Sequence, residues 1–179
     1  SRYWMYSDSE FRDLVGQIKS FDVPIDVLIV DMDWHETWSL RRKDAPLDKY
    51  GQRIGWTGYT WKPQLFPSPK NFLTWAHTEK LKTSLNLHPA SGIEPFEEPY
   101  ERFTKAYGWD QPGEGVPFRM SEQKWADAYF DTVLGPMEKD GVDFWWLDWQ
   151  QWIHSKYVKD LSNTFWLNHT FDHHMAEKG

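Results

Sequence analysis

The chain is organised by strand-like runs that stop abruptly at a polar residue. Val27-Leu28-Ile29-Val30 ends at Asp31, Thr83-Ser84-Leu85-Asn86-Leu87 ends at His88, and the run over 142–147 ends at Asp148. The first of them is an apolar, β-branched run that suits a buried parallel strand, which carries apolar residues on both faces. An aromatic stretch over 2–6 reads as the end of an earlier strand. Helical patterns lie between these runs. Over 8–21, Phe11, Leu14, Val15 and Ile18 share one face, with Ser7 or Asp8 as the cap. The stretch 68–80 reads as a helix with Pro69 in its first turn. A third helix is expected over 121–139, capped by Ser121, and 152–179 reads as mostly helix with a break near 161–164.

Strand and helix thus alternate four times, which predicts an α/β fold on a parallel sheet. Doubly wound sheets and (β/α)8 barrels both fit. No Gly-rich phosphate loop follows any strand, which weighs against a nucleotide-binding sheet. A complete barrel takes about 250 residues. The 179 residues would then be one partial domain covering about the first four βα units of a (β/α)8 TIM-barrel type fold. The chain opens on Ser1-Arg2-Tyr3-Trp4 without an initiator Met and reads as an excised piece. The rest of the same polypeptide's barrel is its expected partner. Two excursions, 36–69 and 92–117, are too long for plain connections and read as functional loops.

Composition narrows the partners. Thirteen Trp, 11 Phe and 8 Tyr could fill a bulky core, but most of the Trp stand beside polar residues. That placement suits a cleft whose rings stack on the flat apolar faces of sugars. A net charge of −7, with no basic cluster longer than Arg41-Arg42-Lys43, disfavours nucleic acid. No apolar stretch approaches membrane-spanning length, so no membrane partner is expected. The absence of Cys excludes disulfides and thiolate chemistry.

In a barrel, the C-terminal ends of the strands hold the active site. Asp31 and Asp33 follow the second expected strand, His88 the third and Asp148 the fourth. A single Asp after a strand often only caps the next turn. Four such positions together are harder to explain that way. Asp148 sits in Phe144-Trp145-Trp146-Leu147-Asp148-Trp149-Gln150-Gln151-Trp152. A carboxylate among Trp rings is partly desolvated, which is costly unless it has a task or a partner. Glycoside hydrolysis needs two carboxyls flanking the scissile bond.

Here the sequence resembles glycoside hydrolase family 31, the retaining α-glucosidases, α-xylosidases and related α-glycosidases and transglycosidases. Asp140-Gly141-Val142-Asp143-Phe144-Trp145-Trp146-Leu147-Asp148-Trp149 is similar to the family's nucleophile segment, an Asp-Gly, an apolar strand, then Trp-x-Asp. The family often continues Met-Asn-Glu, where this chain has Trp149-Gln150-Gln151. Asp31-Met32-Asp33-Trp34-His35 resembles its Asp-x-Asp-Tyr-Met segment. Thr60-Trp61-Lys62-Pro63, continuing to Leu65-Phe66-Pro67-Ser68-Pro69, is similar to its Trp-Asp-x-x-x-Phe-Pro-Asp-Pro stretch. The resemblance implies Asp148 as catalytic nucleophile, Asp31 on the hydroxyls of the sugar at the cleavage site, Asp33 on a further hydroxyl, and Trp61 lining the pocket. His88 and Trp146 are added as pocket-lining candidates from their positions. An α-glycoside or oligosaccharide is the implied substrate, with no metal and no cofactor.

The family's acid/base carboxyl follows the sixth strand, beyond this chain. Neither Glu94 nor Glu122 stands out from a solvated surface Glu. His169, Asp172, His173 and His174 resemble a metal cluster, but no further ligand lies at a recognisable spacing and a polar helix face is preferred. On a strand, Trp145 and Trp146 must face opposite ways. Two rival readings are a non-catalytic carbohydrate-binding protein with the same aromatic cleft and an α-transglycosylase. A metal-dependent barrel hydrolase is disfavoured by the lack of a His-x-His after the first strand.

Overall fold

The computed structural model describes residues 4–36, 56–148 and 153–178. Among them, three parallel strands form one sheet in the order β1 (Val27–Val30), β2 (Lys82–Leu87), β3 (Phe144–Leu147). Val30 stands opposite Leu85, and Leu85 in turn opposite Trp145. The expected strand over 2–6 does not form where it is described: residues 4–6 are irregular. Their rings are drawn sideways instead, Tyr6 packing on Phe11 at 4.9 Å. The α/β class and parallel pairing stand as expected, with three strands among the described residues.

Helix α1 (Asp8–Ser20) starts with a capping box. Ser7 accepts from the Glu10 backbone N–H, and Glu10 Oε2 accepts from Ser7 N at 2.8 Å. Two otherwise orphaned donors are thereby satisfied. Phe11 and Val15 enter the core, while Leu14 and Ile18 are half-buried. Helix α2 (Pro69–Thr78) has Pro at its start, where a missing N–H costs nothing. It buries Phe72, Leu73 and Ala76.

The excursion 92–117 is more ordered than its Gly and Pro content suggests. It contains helix α3 (Tyr100–Tyr107) and is closed by an antiparallel bridge between Ile93 and Val116. Gly92 is required at its mouth. Its φ is +79°, and a Cβ there would lie 1.9 Å from the Val116 carbonyl oxygen.

The expected helix over 121–139 is in three parts: α4 (Gln123–Tyr129), a π turn (Phe130–Leu134) and α5 (Gly135–Asp140). Its first residue is preceded by Glu122, not Ser121. Ser121 faces Ser155, and Glu122 is engaged by Tyr107 and Arg119. The π turn has two causes, one local and one from another helix. Pro136 has no N–H to return to the Thr132 carbonyl, which accepts instead from Arg102 Nε. Arg102 is itself held by both oxygens of Glu98. Helix α6 (Asn163–Ala176) begins where the break was expected, and residues 153–162 before it are irregular.

The helices cover one face of the sheet. Leu28, Val30, Leu85, Leu87 and Trp145 point into that layer and join a single apolar cluster. Trp145 reaches through it, its Nε1 donating to Glu138 Oε1 at 2.8 Å. Alternation puts Val27, Ile29, Phe144 and Trp146 on the opposite face. There Val27, Ile29 and Phe144 remain 41%, 40% and 37% exposed. Asp31, His88 and Asp148 continue that face past the strand ends.

Candidate active site

Asp148 follows the last residue of β3 and is positioned by its neighbour β2. Its N–H donates to the Leu87 carbonyl at 3.0 Å, extending the parallel ladder by one step. Its carboxylate Oδ2 accepts from Asn86 Nδ2 at 3.1 Å and lies 3.4 Å from His88 Nε2. The side chain is 23% exposed, so it is neither fully desolvated nor free in solvent. Asn86 is completely buried, and its backbone carbonyl accepts from Trp34 Nε1 at 2.9 Å.

His88 is buried between the two acidic strand ends. Burial pushes its pKa down, and the carboxylates of Asp148 and Asp31 oppose that shift without cancelling it. Its backbone carbonyl accepts from Thr57 Oγ1, and that hydroxyl accepts from Ser91 N at 3.1 Å. Thr57 thus clips the segment after residue 56 onto the end of β2. Trp56 lies against the His88 ring at 5.8 Å.

Asp31 does cap the turn that follows it. Its Oδ1 accepts from Met32 N at 2.8 Å, at the head of a single 3-10 turn (Met32–Trp34). It is half-buried, so capping does not remove it from the site. Asp33 is buried, and Lys62 Nζ lies 3.5 Å from its Oδ1. Trp61 packs edge-on to Trp34 at 5.0 Å and to Phe66 at 5.2 Å. It also forms an antiparallel bridge with His35. His35 is fully buried, and burial pushes its pKa down to about 3, against its bond to the Glu36 carbonyl. It is therefore a neutral spacer in the wall. Trp146 is half-buried on the open face of the sheet.

Apart from Trp146 on the open face of β3, the expected residues fall into two groups. Asp31, His88 and Asp148 stand at the ends of three adjacent strands. Asp33 and Trp61 form the wall behind Asp31. Asn86, Thr57 and Lys62 belong to the same constellation and were not singled out in the sequence. For Asn86 a signal existed: in Leu85-Asn86-Leu87-His88, alternation puts Asn86 on the face of His88. Among the described residues no group of three or more His, Cys, Asp or Glu could hold a metal ion. On α6, His169 and His173 are stacked at 6.3 Å, and His173 lies 3.3 Å from Glu177. His174 turns inward to Glu138. No helix among the described residues is long and apolar enough to cross a membrane.

Parallel strands with helices on one face, and polar groups gathered at their C-terminal ends, define a β/α-barrel type of enzyme scaffold. The chain belongs to the glycosyl hydrolases family 31 TIM-barrel domain, whose family model matches residues 1–176. Solved structures share the fold. A family 31 dextranase from Flavobacterium johnsoniae in complex with glucose matches with a TM-score of 0.62 at 13% identity, over 98% of this chain and 23% of that one. A family 31 α-xylosidase from a soil metagenome, complexed with xylose, gives 0.61 at 13% identity over 98% and 26%. An α-xylosidase from Xanthomonas citri gives 0.54 at 19% identity over 83% and 16%. The chain thus spans about a quarter or less of these proteins. A stretch of 77 residues is also 29% identical to 7-dehydrocholesterol reductase of Xenopus laevis, covering 41% of this chain and 16% of that protein.

Proposed function

We propose that this chain is part of the catalytic barrel of a retaining α-glycosidase, with Asp148 as nucleophile. The observation that carries the reading is the Asp148 carboxylate itself. It is partly open to solvent and held on one oxygen by Asn86, beside a buried histidine, at the C-terminal end of β3. In such a reaction one carboxylate oxygen attacks the anomeric carbon. The bond to the leaving oxygen breaks, and a second carboxyl protonates that oxygen. Water then attacks the anomeric carbon, the bond from that carbon to Asp148 breaks and releases its carboxylate, and the same second carboxyl, now ionised, takes the proton of the water. That acid/base is assigned to a later part of the full-length polypeptide's barrel. Asp31 binds sugar hydroxyls, with Asp33 on a further one. Trp61, His88 and Trp146 line the pocket. The α-xylosidases and the dextranase of similar fold support an α-linked glycoside as substrate.

The test is covalent trapping in the full-length protein. A fluorinated α-glycosyl fluoride should leave its sugar on the peptide containing Asp148. Asp148→Ala should abolish both labelling and turnover of aryl α-glycosides. Label on another residue, or full turnover by the variant, would overturn the assignment. Residues 1–179 expressed alone should show negligible turnover.

A further inference from the structure

Glu97 is a buried carboxylate in the turn that leads into α3, outside every residue assigned above. It is 4% exposed. Its Oε2 accepts two bonds from the opposite excursion, from Tyr59 N at 3.1 Å and from Thr60 Oγ1 at 2.5 Å. The Thr60 hydroxyl in turn accepts from Glu98 N at 2.8 Å, so the two excursions are tied twice at one residue. Directly after Thr60 comes the strip that forms the sugar-facing wall. Glu36 N donates to Thr60 O at 2.7 Å, Trp61 bridges His35, and Lys62 N donates to Trp34 O at 2.8 Å. That strip seats the Trp61 ring on Trp34 and brings Lys62 Nζ to Asp33.

We infer that Glu97 is a positioning residue for substrate binding: its carboxylate fixes Tyr59 and Thr60, and through them the placement of Trp61 and Lys62. The inference rests on the sugar-binding reading of Trp61. Burying a carboxylate this deeply is costly, and burial raises its pKa to about 7, with Glu94 adding to the rise and the bonds from Thr60 and Tyr59 opposing it. Its Oε1 has no hydrogen-bond partner among the described residues. A group kept under such terms with both its bonds on one segment acts on that segment. Removing it should weaken substrate binding without touching the reacting atoms.

The experiment uses the full-length protein with Glu97→Ala, Glu97→Gln and Thr60→Val. Two readouts are taken: steady-state kinetics on an aryl α-glycoside, and the 19F resonance of 5-fluorotryptophan at position 61, assigned with Trp61→Phe. Losing a hydrogen bond to a charged group should raise KM about tenfold in Glu97→Ala, with kcat nearly unchanged, and should shift or broaden the Trp61 resonance. Glu97→Gln keeps an acceptor oxygen and should restore both. Thr60→Val, which removes one donor and little volume, should move both in the same direction by less. An unmoved Trp61 resonance in Glu97→Ala and Thr60→Val would overturn the inference. So would a fall in kcat shared by Glu97→Ala and Glu97→Gln. A moved resonance with unchanged KM would support the positioning and overturn the sugar-binding reading beneath it.

Discussion

Asn86 and Asp148 meet across adjacent parallel strands, the amide Nδ2 donating to the carboxylate Oδ2 at 3.1 Å. The bond is set by register: Asn86 pairs with Trp146, two residues before Asp148 on the same face. A buried amide that donates to one carboxylate oxygen fixes where the other points. In the proposed mechanism that second oxygen is the one that attacks. Asn86→Ala in the full-length enzyme should therefore lower kcat about 10- to 100-fold, the range for losing a hydrogen bond to a charged group. KM should change much less. Steady-state kinetics on an aryl α-glycoside would check it, and an unchanged kcat would remove Asn86 from the mechanism.

Gly58 should tolerate no side chain. A Cβ there would stand 2.0 Å from His35 Nδ1 and 2.5 Å from the Glu36 carbonyl oxygen. His35 is fully buried and has nowhere to retreat. Gly58→Ala should cost about 1–3 kcal/mol in urea unfolding, as overpacking does, and should raise KM by disturbing the bridge to Trp61.

Glu138 joins β3 to α6. Its side chain, 7% exposed, accepts from Trp145 Nε1 at 2.8 Å and from His174 Nε2 at 3.0 Å, with Lys178 on its other oxygen. Glu138→Ala would orphan a buried indole N–H and a stacked imidazole. We expect a loss of about 3 kcal/mol, measured by the denaturation midpoint. Glu138→Gln, which keeps an acceptor for Trp145, should lose less.

Asp143 links stability to pH. Burial alone would raise its pKa. Lys82, the Thr83 N–H and His77 outweigh that and hold it below the ordinary value of 3.8. A depressed folded pKa means the unfolded chain binds the proton more readily. The contribution is thus fully present above the unfolded pKa and is lost as pH falls through the folded one. Thermal melts between neutral pH and about pH 3 should show a smaller acid loss in Asp143→Asn than in the natural protein.

Local chemistry wrote much of this fold into the sequence. Ser7 and Glu10 cap α1, Pro69 opens α2, and the strand-like runs become parallel strands in the expected places. A strand's alternation then puts Asp31, His88 and Asp148 at strand ends on one side. All of this depends on neighbours a few residues apart. The helix α3 inside the Gly- and Pro-rich excursion and the π turn before Pro136 were not legible. The first is short, and the second depends on Arg102 arriving from another helix. Only the tertiary structure decided that Asn86 holds Asp148, 62 residues away, and that Glu97 grips Thr60 from 37 away. It also decided that Asp33 is buried beside Lys62. A carboxylate's role follows from what reaches it and how much water is left around it, and neither is a property of local sequence.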